Sequence, residues 1–337
     1  MSHDTLSDVL RTVRLHGGVY YYVSCRTPWS AEGSGVHDIA AAVSGAEHVI
    51  AYHMLVKGDG WAAVSGLGPL RLRAGDVVMF PQGDVHVISS APGLQPSHAD
   101  FDWVYAARNQ PMPMPMPIAY HSGVVQPGAS MPVDSADTIL LCGFIGCDLR
   151  PFNPLIASLP PVLHVPAAGT TGWVATVVDQ AVKESREPRA GSDVLLARIS
   201  EMFFVDAIRR YIESLPDPAT GWLAALRDRH VGKAIGLLHQ RSAESWTLEE
   251  LGRQVGLSRS ALHERFVELV GQPPMQYLAN WRMQRGAVLL RDGDATVATI
   301  AQDVGYESEA AFARAFKRLV GQPPAAWRRA QRASIVV

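Results

Sequence analysis

Cysteine is scarce, with three residues in a chain of 337. That excludes a scaffold stapled by disulfides and fits a reducing, cytoplasmic setting. Long apolar runs are missing too: no stretch of eighteen apolar residues occurs, so a membrane is not among the expected partners. The opening MSHDTLSDVLRTVRL carries acids and lacks an apolar core, so a signal peptide is not expected. Nor is there an excess of charge of one sign, since 30 Lys and Arg face 32 Asp and Glu, a net charge of −2.

That balance hides a division. Residues 222–332 hold sixteen Lys and Arg against eleven Asp and Glu, about +5; the remainder holds fourteen against twenty-one, about −7. A basic module is joined to an acidic one, and the basic one suits a partner rich in phosphate. With 47% apolar residues the chain has length and composition for two globular domains.

Residues 16–165 read as β-rich. VYYYV, VIAYHMLV, VVMF, HVISS and ILLCGF are short apolar stretches parted by Gly, Pro and Asp clusters, the pattern of a sandwich or barrel. The tract from Asn109 to Asp137 is punctuated by Pro, which predicts an extended loop. Residues 166–191 form a second punctuated section around WVATVVDQAVKESREPRAG. From Ser192 to Leu215 the period turns helical, with Val194, Leu195, Ile199, Met202, Phe203, Ile208 and Tyr211 recurring. So apolar a helix must pack on the barrel or pair with a second chain. LPDPATG is the predicted linker, and everything after it reads as helical.

The helical part repeats itself. Leu-Val-Gly-Gln-Pro-Pro occurs at residues 269–274 and again at 319–324. Leu251, Val255 and Gly256 match Ile300, Val304 and Gly305 at an offset of 49; Ser258, Phe266 and Gly271 match Ser308, Phe316 and Gly321 at an offset of 50. The extra residue falls in the turn, where insertion costs little. Thr247 opens TLEE, a capping box with Glu250, and Gly256 suits a left-handed helix end. Ser258 then caps a second helix with the apolar stripe Leu262, Phe266, Leu269 and Val270; its counterpart carries Phe312, Phe316 and Leu319. Helix, glycine turn, helix is the helix-turn-helix pattern, here about residues 247–271 and 296–321. Away from these stripes lie Arg259, His263 and Arg265 in the first copy and Glu309, Arg314, Lys317 and Arg318 in the second. A basic outer face is what a major groove requires. Trp281 and Trp327 read as core.

GYESEAAFARAFKRLVGQPPAAWR is similar to the signature of AraC/XylS-type transcription regulators through Gly305, Tyr306, Ser308, Phe312, Arg314, Phe316, Lys317, Gly321, Pro324 and Arg328. The resemblance spans about residues 223–332. It implies a cytoplasmic, sequence-specific regulator that sets two heads in adjacent major grooves of double-stranded DNA, contacts RNA polymerase when it activates, and forms a homodimer through the helix after Ser192. It also implies base-edge contacts from Ser260, His263 and Glu264 in the first head and from Glu309, Ala310 and Arg314 in the second. Glu264 departs from the Arg or neutral donor of many relatives. Lys317, Arg318, Arg328 and Arg329 read as phosphate partners or solvated charges. A joining helix over residues 275–290 would span ~24 Å, short of the ~34 Å turn of B-DNA, so a bent site is expected.

GDVVMFPQGDVH, with Gly75, Pro81, Gly83 and His86, resembles the second motif of cupins, and the N-terminal part resembles the cupin-like sensor of a subgroup of these regulators. A small effector inside such a barrel is implied, its identity unknown. Enzymatic cupins add a His-x-His pair and a Glu. HVIAYHMLVKG supplies His48 and His53 without that pair or a suitably placed acid, so no catalytic residue, metal or cofactor is expected. The rival reading, a cupin-type metal-dependent oxygenase or isomerase with an accessory helical domain, lacks its ligands. The Met-Pro tract with His121 offers thioethers to Cu(I), against the plainer reading of a stiff surface loop. The cysteines read first as buried structural thiols. Resemblance to oxidant-sensing regulators of this build singles out Cys25 and Cys142, and a disulfide between them needs α-carbons ~4.4–6.8 Å apart.

The expected architecture is α+β in two domains: a cupin-like β-barrel sensor over 1–190, a connecting and possible dimerisation helix with linker over 191–220, and an all-α double helix-turn-helix domain over 221–332.

Overall fold

In the computed structural model the described residues are 4–33, 46–96, 115–121, 123–167 and 173–333. Helix α1 (Thr5–Thr12) precedes β1 (His16–Cys25), β2 (Ser30–Gly33), β3 (His48–Lys57), β4 (Asp59–Val64), β5 (Leu70–Arg73), β6 (Val77–Phe80), β7 (His86–Ser89), β8 (Met116–His121), β9 (Val124–Pro127), β10 (Thr138–Cys147), α2 (Pro154–Ala157) and β11 (Leu163–Val165). Ten helices follow: α3 (Trp173–Arg186), α4 (Ser192–Ser214), α5 (Trp222–Ala225), α6 (Val231–Gln240), α7 (Leu248–Val255), α8 (Arg259–Val270), α9 (Pro274–Asp292), α10 (Val297–Asp303), α11 (Glu309–Val320) and α12 (Pro324–Ala333). The chain divides into two compact units. A sensor unit comprises Leu15–Cys147 and Leu159–Glu213; a reading unit comprises Met1–Arg14, Asp148–Ser158 and Ser214–Val337.

The sensor unit carries a seven-stranded sheet, β11-β6-β3-β10-β1-β8-β9, and a four-stranded sheet, β2-β7-β4-β5. Among the described residues β1 and β8 run parallel and every other pair antiparallel. Alternate residues of each strand turn inward. Cys25, Leu55, Phe80, Tyr120 and Leu140 of the larger sheet meet Ala62, Val64, Leu72 and Ile88 of the smaller in one core. This is the expected cupin-like barrel, and each stretch read as a strand forms one.

The outer face of β3 and β10 is buried as well. Helix α4 turns Leu196, Ile199, Phe203, Phe204, Ala207 and Ile208 inward, and its Ser200 Oγ lies 2.6 Å from Tyr52 Oη on β3. Close approach there demands glycine: a Cβ at Gly143 would stand 2.1 Å from the Gly18 carbonyl oxygen and 2.5 Å from Tyr52 Oη. Burial on both faces explains why β3 and β10 are near-continuous apolar runs rather than alternating ones.

Two expectations are corrected here. Within the tract read as an extended loop, Met116–His121 and Val124–Pro127 are strands. Pro117 lacks an N–H but still offers its carbonyl, which accepts from Gly128 N–H at 2.8 Å, so a ladder survives it. Residues 109–114, with most of the Met-Pro tract, lie outside the described residues. In the second punctuated section Trp173–Arg186 is a helix; it buries Ala181, while its buried Glu184 accepts from Ser192 Oγ at 2.6 Å.

The reading unit also departs from the expected boundaries. Residues 4–14 and the segment Asp148–Ser158 fold with the C-terminal helices rather than with the sensor. Val9 of α1 and Val13, which caps that helix, are completely buried, and Val13 O accepts from Asp148 N–H at 2.9 Å. Gln284 of α9, itself buried, accepts from Phe152 N–H at 2.9 Å. These contacts leave α1 and the 148–158 strap as structural parts of this unit.

Candidate nucleic-acid interface

Each copy of the repeat folds as its sequence dictates. In the first, Thr247 Oγ1 accepts from Glu250 N–H at 3.1 Å, Gly256 ends α7 at φ +78°, Ser258 Oγ accepts from Ala261 N–H at 3.2 Å, and Gly271 ends α8 at φ +79°. In the second, Thr296 and Ser308 cap α10 and α11, and Gly305 and Gly321 take φ +85° and +87°. The side-chain caps satisfy otherwise orphaned N–H groups, and glycine takes the left-handed turn without a Cβ penalty.

The second helix of each pair is anchored by phenylalanine. Phe266 packs edge-on to Tyr277 at 5.7 Å between ring centroids. Phe312 and Phe316, both fully buried, lie 5.5 Å apart and sit among Leu290, Ile300, Val304 and Trp327. Gly286 on α9 admits the Phe312 ring, since a Cβ there would come within 2.9 Å of it. Trp281 and Trp327 are core, as expected. Leu319, expected on the apolar stripe, is 40% exposed instead.

The faces opposite these anchors are open. On α8, Arg259, Ser260, His263, Glu264 and Arg265 are exposed; on α11, Glu309, Ala310, Arg314, Lys317 and Arg318 are exposed. The two heads differ in charge. Helix α8 balances two Arg with two Glu, whereas α11 sets Arg314, Lys317 and Arg318 against Glu309 alone. Arg265 is also engaged on the protein. Its Nε donates to Asp228 Oδ2 at 2.9 Å and its Nη2 to the same oxygen at 2.5 Å. Asp228 Oδ1 meanwhile accepts from the N–H groups of His230 and Val231 at the start of α6. Burial raises the Asp228 carboxyl, but the Arg265 and backbone hydrogen bonds outweigh it and hold it below its usual range. Arg328, read from the sequence as a phosphate partner or solvated charge, donates to the carbonyls of Leu290 and Ala295 and so fastens α12 to the end of α9. Nothing in local spacing signals either role, because both partners lie more than thirty residues away.

In the sensor unit the cysteines fall differently from the expected pair. Across β1 and β10, Cys25 stands opposite Thr138 and Cys142 opposite Tyr21. Four residue steps therefore separate them along the strands, ~13 Å, beyond disulfide reach. The neighbour of Cys142 is His53, its cross-strand partner on β3. His48 turns elsewhere, with Nε2 2.6 Å from the Pro81 carbonyl oxygen. Among the described residues no group of three or more His, Cys, Asp or Glu is arranged to hold a metal ion, and no helix is long and apolar enough to cross a membrane.

Comparison with known proteins gives this architecture its relatives. The family described as Cupin matches residues 4–213, and the family described as Helix-turn-helix domain matches residues 251–330. A putative AraC-like transcription regulator of Streptomyces lividans is 32% identical over 289 residues, 84% of this chain and 88% of its own. The HTH-type transcriptional regulator AlkR of Acinetobacter baylyi is 25% identical over 96% of this chain and 99% of its own. Among solved structures, the DNA-binding domain of AdpA in complex with a target DNA is 29% identical over 32% of this chain and 96% of that one, with a TM-score of 0.31. The chain belongs to the AraC-like transcription regulators, with a helix-turn-helix DNA-binding domain behind an N-terminal sensor domain.

Proposed function

We propose that α8 and α11 enter successive major grooves of one DNA duplex. Ser260, His263 and Glu264 then face base edges from the first head, and Glu309, Ala310 and Arg314 from the second. Arg259, Lys317 and Arg318 meet phosphates, and Arg265 steadies the first head through Asp228. The observation that carries this reading is α11: three cations on an exposed face, on a helix whose opposite face is fixed by fully buried Phe312 and Phe316. Arg314 suits bidentate pairing with guanine, and Glu264 suits the amine of cytosine.

Helix α9 joins the heads. Its nineteen residues span ~28 Å, against ~34 Å for one turn of B-DNA. Bending the duplex toward the protein closes the difference at about 1–6 kcal/mol. Circular-permutation gel shifts test this, and unbent DNA removes it. Binding itself is tested by anisotropy titration against promoter fragments over a range of salt. Several phosphate contacts give a steep negative log–log slope; a flat slope overturns the reading.

The same reading makes the protein a regulator and not an enzyme, with RNA polymerase as the partner met at the promoter and a small effector, held inside the barrel, as the signal. A second copy of the chain is the remaining partner, through α4. Exposed Val194, Leu195 and Met202 on that helix support this, and sedimentation of Met202→Asp against the parent chain tests it: loss of a dimer supports the reading, and a monomeric parent chain removes it.

A further inference from the structure

The two heads share helix α9, and each grips only part of it. The first head holds the front half: Phe266 lies edge-on to Tyr277, and His239 of α6 stacks on Trp281 at 3.8 Å between ring centroids. The second head holds the rear half, where Met283, Ala287 and Leu290 pack among Phe312, Phe316 and Trp327. The seam between the two grips falls at Arg282. Helices of this length are rarely straight, so α9 by itself leaves the angle between the heads to its own bending.

Arg282 reaches from that seam into both heads. Its Nε donates to the Ser242 carbonyl oxygen and its Nη2 to that of Glu244, each at 2.7 Å. Arg285 adds a bond to Ser242 Oγ. Ser242 and Glu244 belong to the loop of residues 241–246, which leads from α6 to α7 in the first head. That loop is itself braced: the Arg241 guanidinium lies 4.7 Å from the centre of the Trp246 ring, and Trp246 Nε1 donates back to the Arg241 carbonyl at 3.0 Å. In the second head the Tyr306 ring has its centre 5.9 Å from the Arg282 guanidinium, within reach of a cation–π attraction. Tyr306 stands in the turn of the second helix-turn-helix and lies edge-on to Phe312, an anchor of α11, at 5.7 Å. The loop also touches that turn directly. A Cβ at Gly305 would stand 2.5 Å from the Ala243 carbonyl oxygen and 2.8 Å from the Ala243 α-carbon, so the two backbones meet with no room for a side chain.

We propose that Arg282 is a positioning residue that locks the two heads in one mutual setting and so makes the protein select the spacing between its half-sites, a role that rests on both heads meeting one duplex. Two attachments, one along α9 and one through the loop beside it, hold a head where a single attachment lets it swing. Linking two heads raises affinity by ~10²–10⁴-fold, and only where geometry lets both engage. One base pair inserted between the half-sites turns the second by ~34° and moves it by ~3.4 Å. A locked pair cannot follow that change, whereas a pair free to swing follows much of it. Arginine suits the task because its planar fork reaches two carbonyls at once and still offers a face to an aromatic ring. Spacing is then set by a side chain bonded to carbonyls of the protein rather than to DNA.

The test uses the full chain and the duplex it selects from a random-sequence pool, as selected, with one base pair inserted between the half-sites, and with one half-site scrambled. Spin labels at exposed Glu249 and Gln302, one in each head and attached without cysteine chemistry, report the distance between the heads in the absence of DNA. The parent chain is expected to lose at least about tenfold in affinity on insertion, within what linkage supplies, and to show a narrow distance distribution. In Arg282→Met the loss on insertion should fall below about threefold and the distribution should widen; Arg282→Lys, which keeps the charge without the fork, lies between. A side chain that only stabilised the fold would weaken both spacings alike, so an unchanged ratio overturns the proposal, as does an unchanged distribution. A parent chain indifferent to a scrambled half-site overturns the two-headed reading and the spacing role with it, and the label distances tell that case apart because they report the lock without DNA. Should Arg282→Met fail to fold, the parent chain decides alone: a loss on insertion below about threefold, or a broad distribution, overturns the proposal.

Discussion

Arg291, near the end of the helix that joins the two heads, forms an ion pair with Asp148, 143 residues earlier in the chain. Their side chains are 5% and 13% exposed, and Asp292 takes a further hydrogen bond from the same guanidinium at 2.9 Å. This contact ties the 148–158 strap to the scaffold of the reading unit.

Breaking it from one side is therefore expected to be costly. Arg291→Ala takes this guanidinium away from Asp148, and about 3–5 kcal/mol of stability should be lost in urea unfolding of the full chain. Replacing both partners by apolar residues of similar size, Arg291→Met with Asp148→Leu, should cost far less. A single substitution no worse than the double one would deny the pair its structural role.

The two heads should separate base reading from phosphate contact. Arg314→Ala is expected to weaken binding to the preferred site by about 1–3 kcal/mol and to relax preference at one base pair, with helix content unchanged. Lys317→Ala should weaken all sequences alike and lower the salt slope by about 1. Titrations of both variants on matched and substituted duplexes check this; swapped outcomes would exchange the two roles.

Glycine at two equivalent turns should respond unequally to alanine. Gly256 at φ +78° faces open space, so Gly256→Ala should cost ~1 kcal/mol from backbone conformation alone. Gly305 at φ +85° would set its new methyl 2.5 Å from the Ala243 carbonyl oxygen. Gly305→Ala should cost clearly more, with a lower thermal midpoint than Gly256→Ala.

Stability of the sensor should fall in mild acid. The folded pKa of His86 is depressed to about 4, whereas an unfolded histidine titrates near ~6.5. Between these values the unfolded chain binds the extra proton, so the contribution is complete above ~6.5 and is lost as pH falls toward 4. The loss amounts to roughly 3 kcal/mol. Urea midpoints at neutral and mildly acidic pH, for the parent chain and His86→Gln, check it; the variant should show the shallower decline, and parallel declines would dismiss His86 as the cause.

Much of the reading unit is legible because its signals are local. Thr247, Ser258 and Ser308 bond to N–H groups three residues on, and Gly256, Gly271, Gly305 and Gly321 answer to the helices they end. The strands were legible through short apolar runs, although Pro117 concealed β8. The contact of Cys142 with His53, and of His53 with His86, left only a faint trace, a polar His53 and a Cys142 inside apolar stretches, and spacing could not bring them together.

The sequence by itself determined two capped helix pairs, their phenylalanine anchors, their exposed cations and the strands of a barrel, because each depends on periodicity or on hydrogen bonds spanning three or four residues. Tertiary structure alone decided that α1 and the 148–158 strap join the reading unit, that Arg265 holds Asp228, and that Cys142 meets His53 rather than Cys25. Those outcomes rest on strand register and on partners 37 to 143 residues distant, and a contact across such a separation is set by how the chain packs, not by what stands beside it in the sequence.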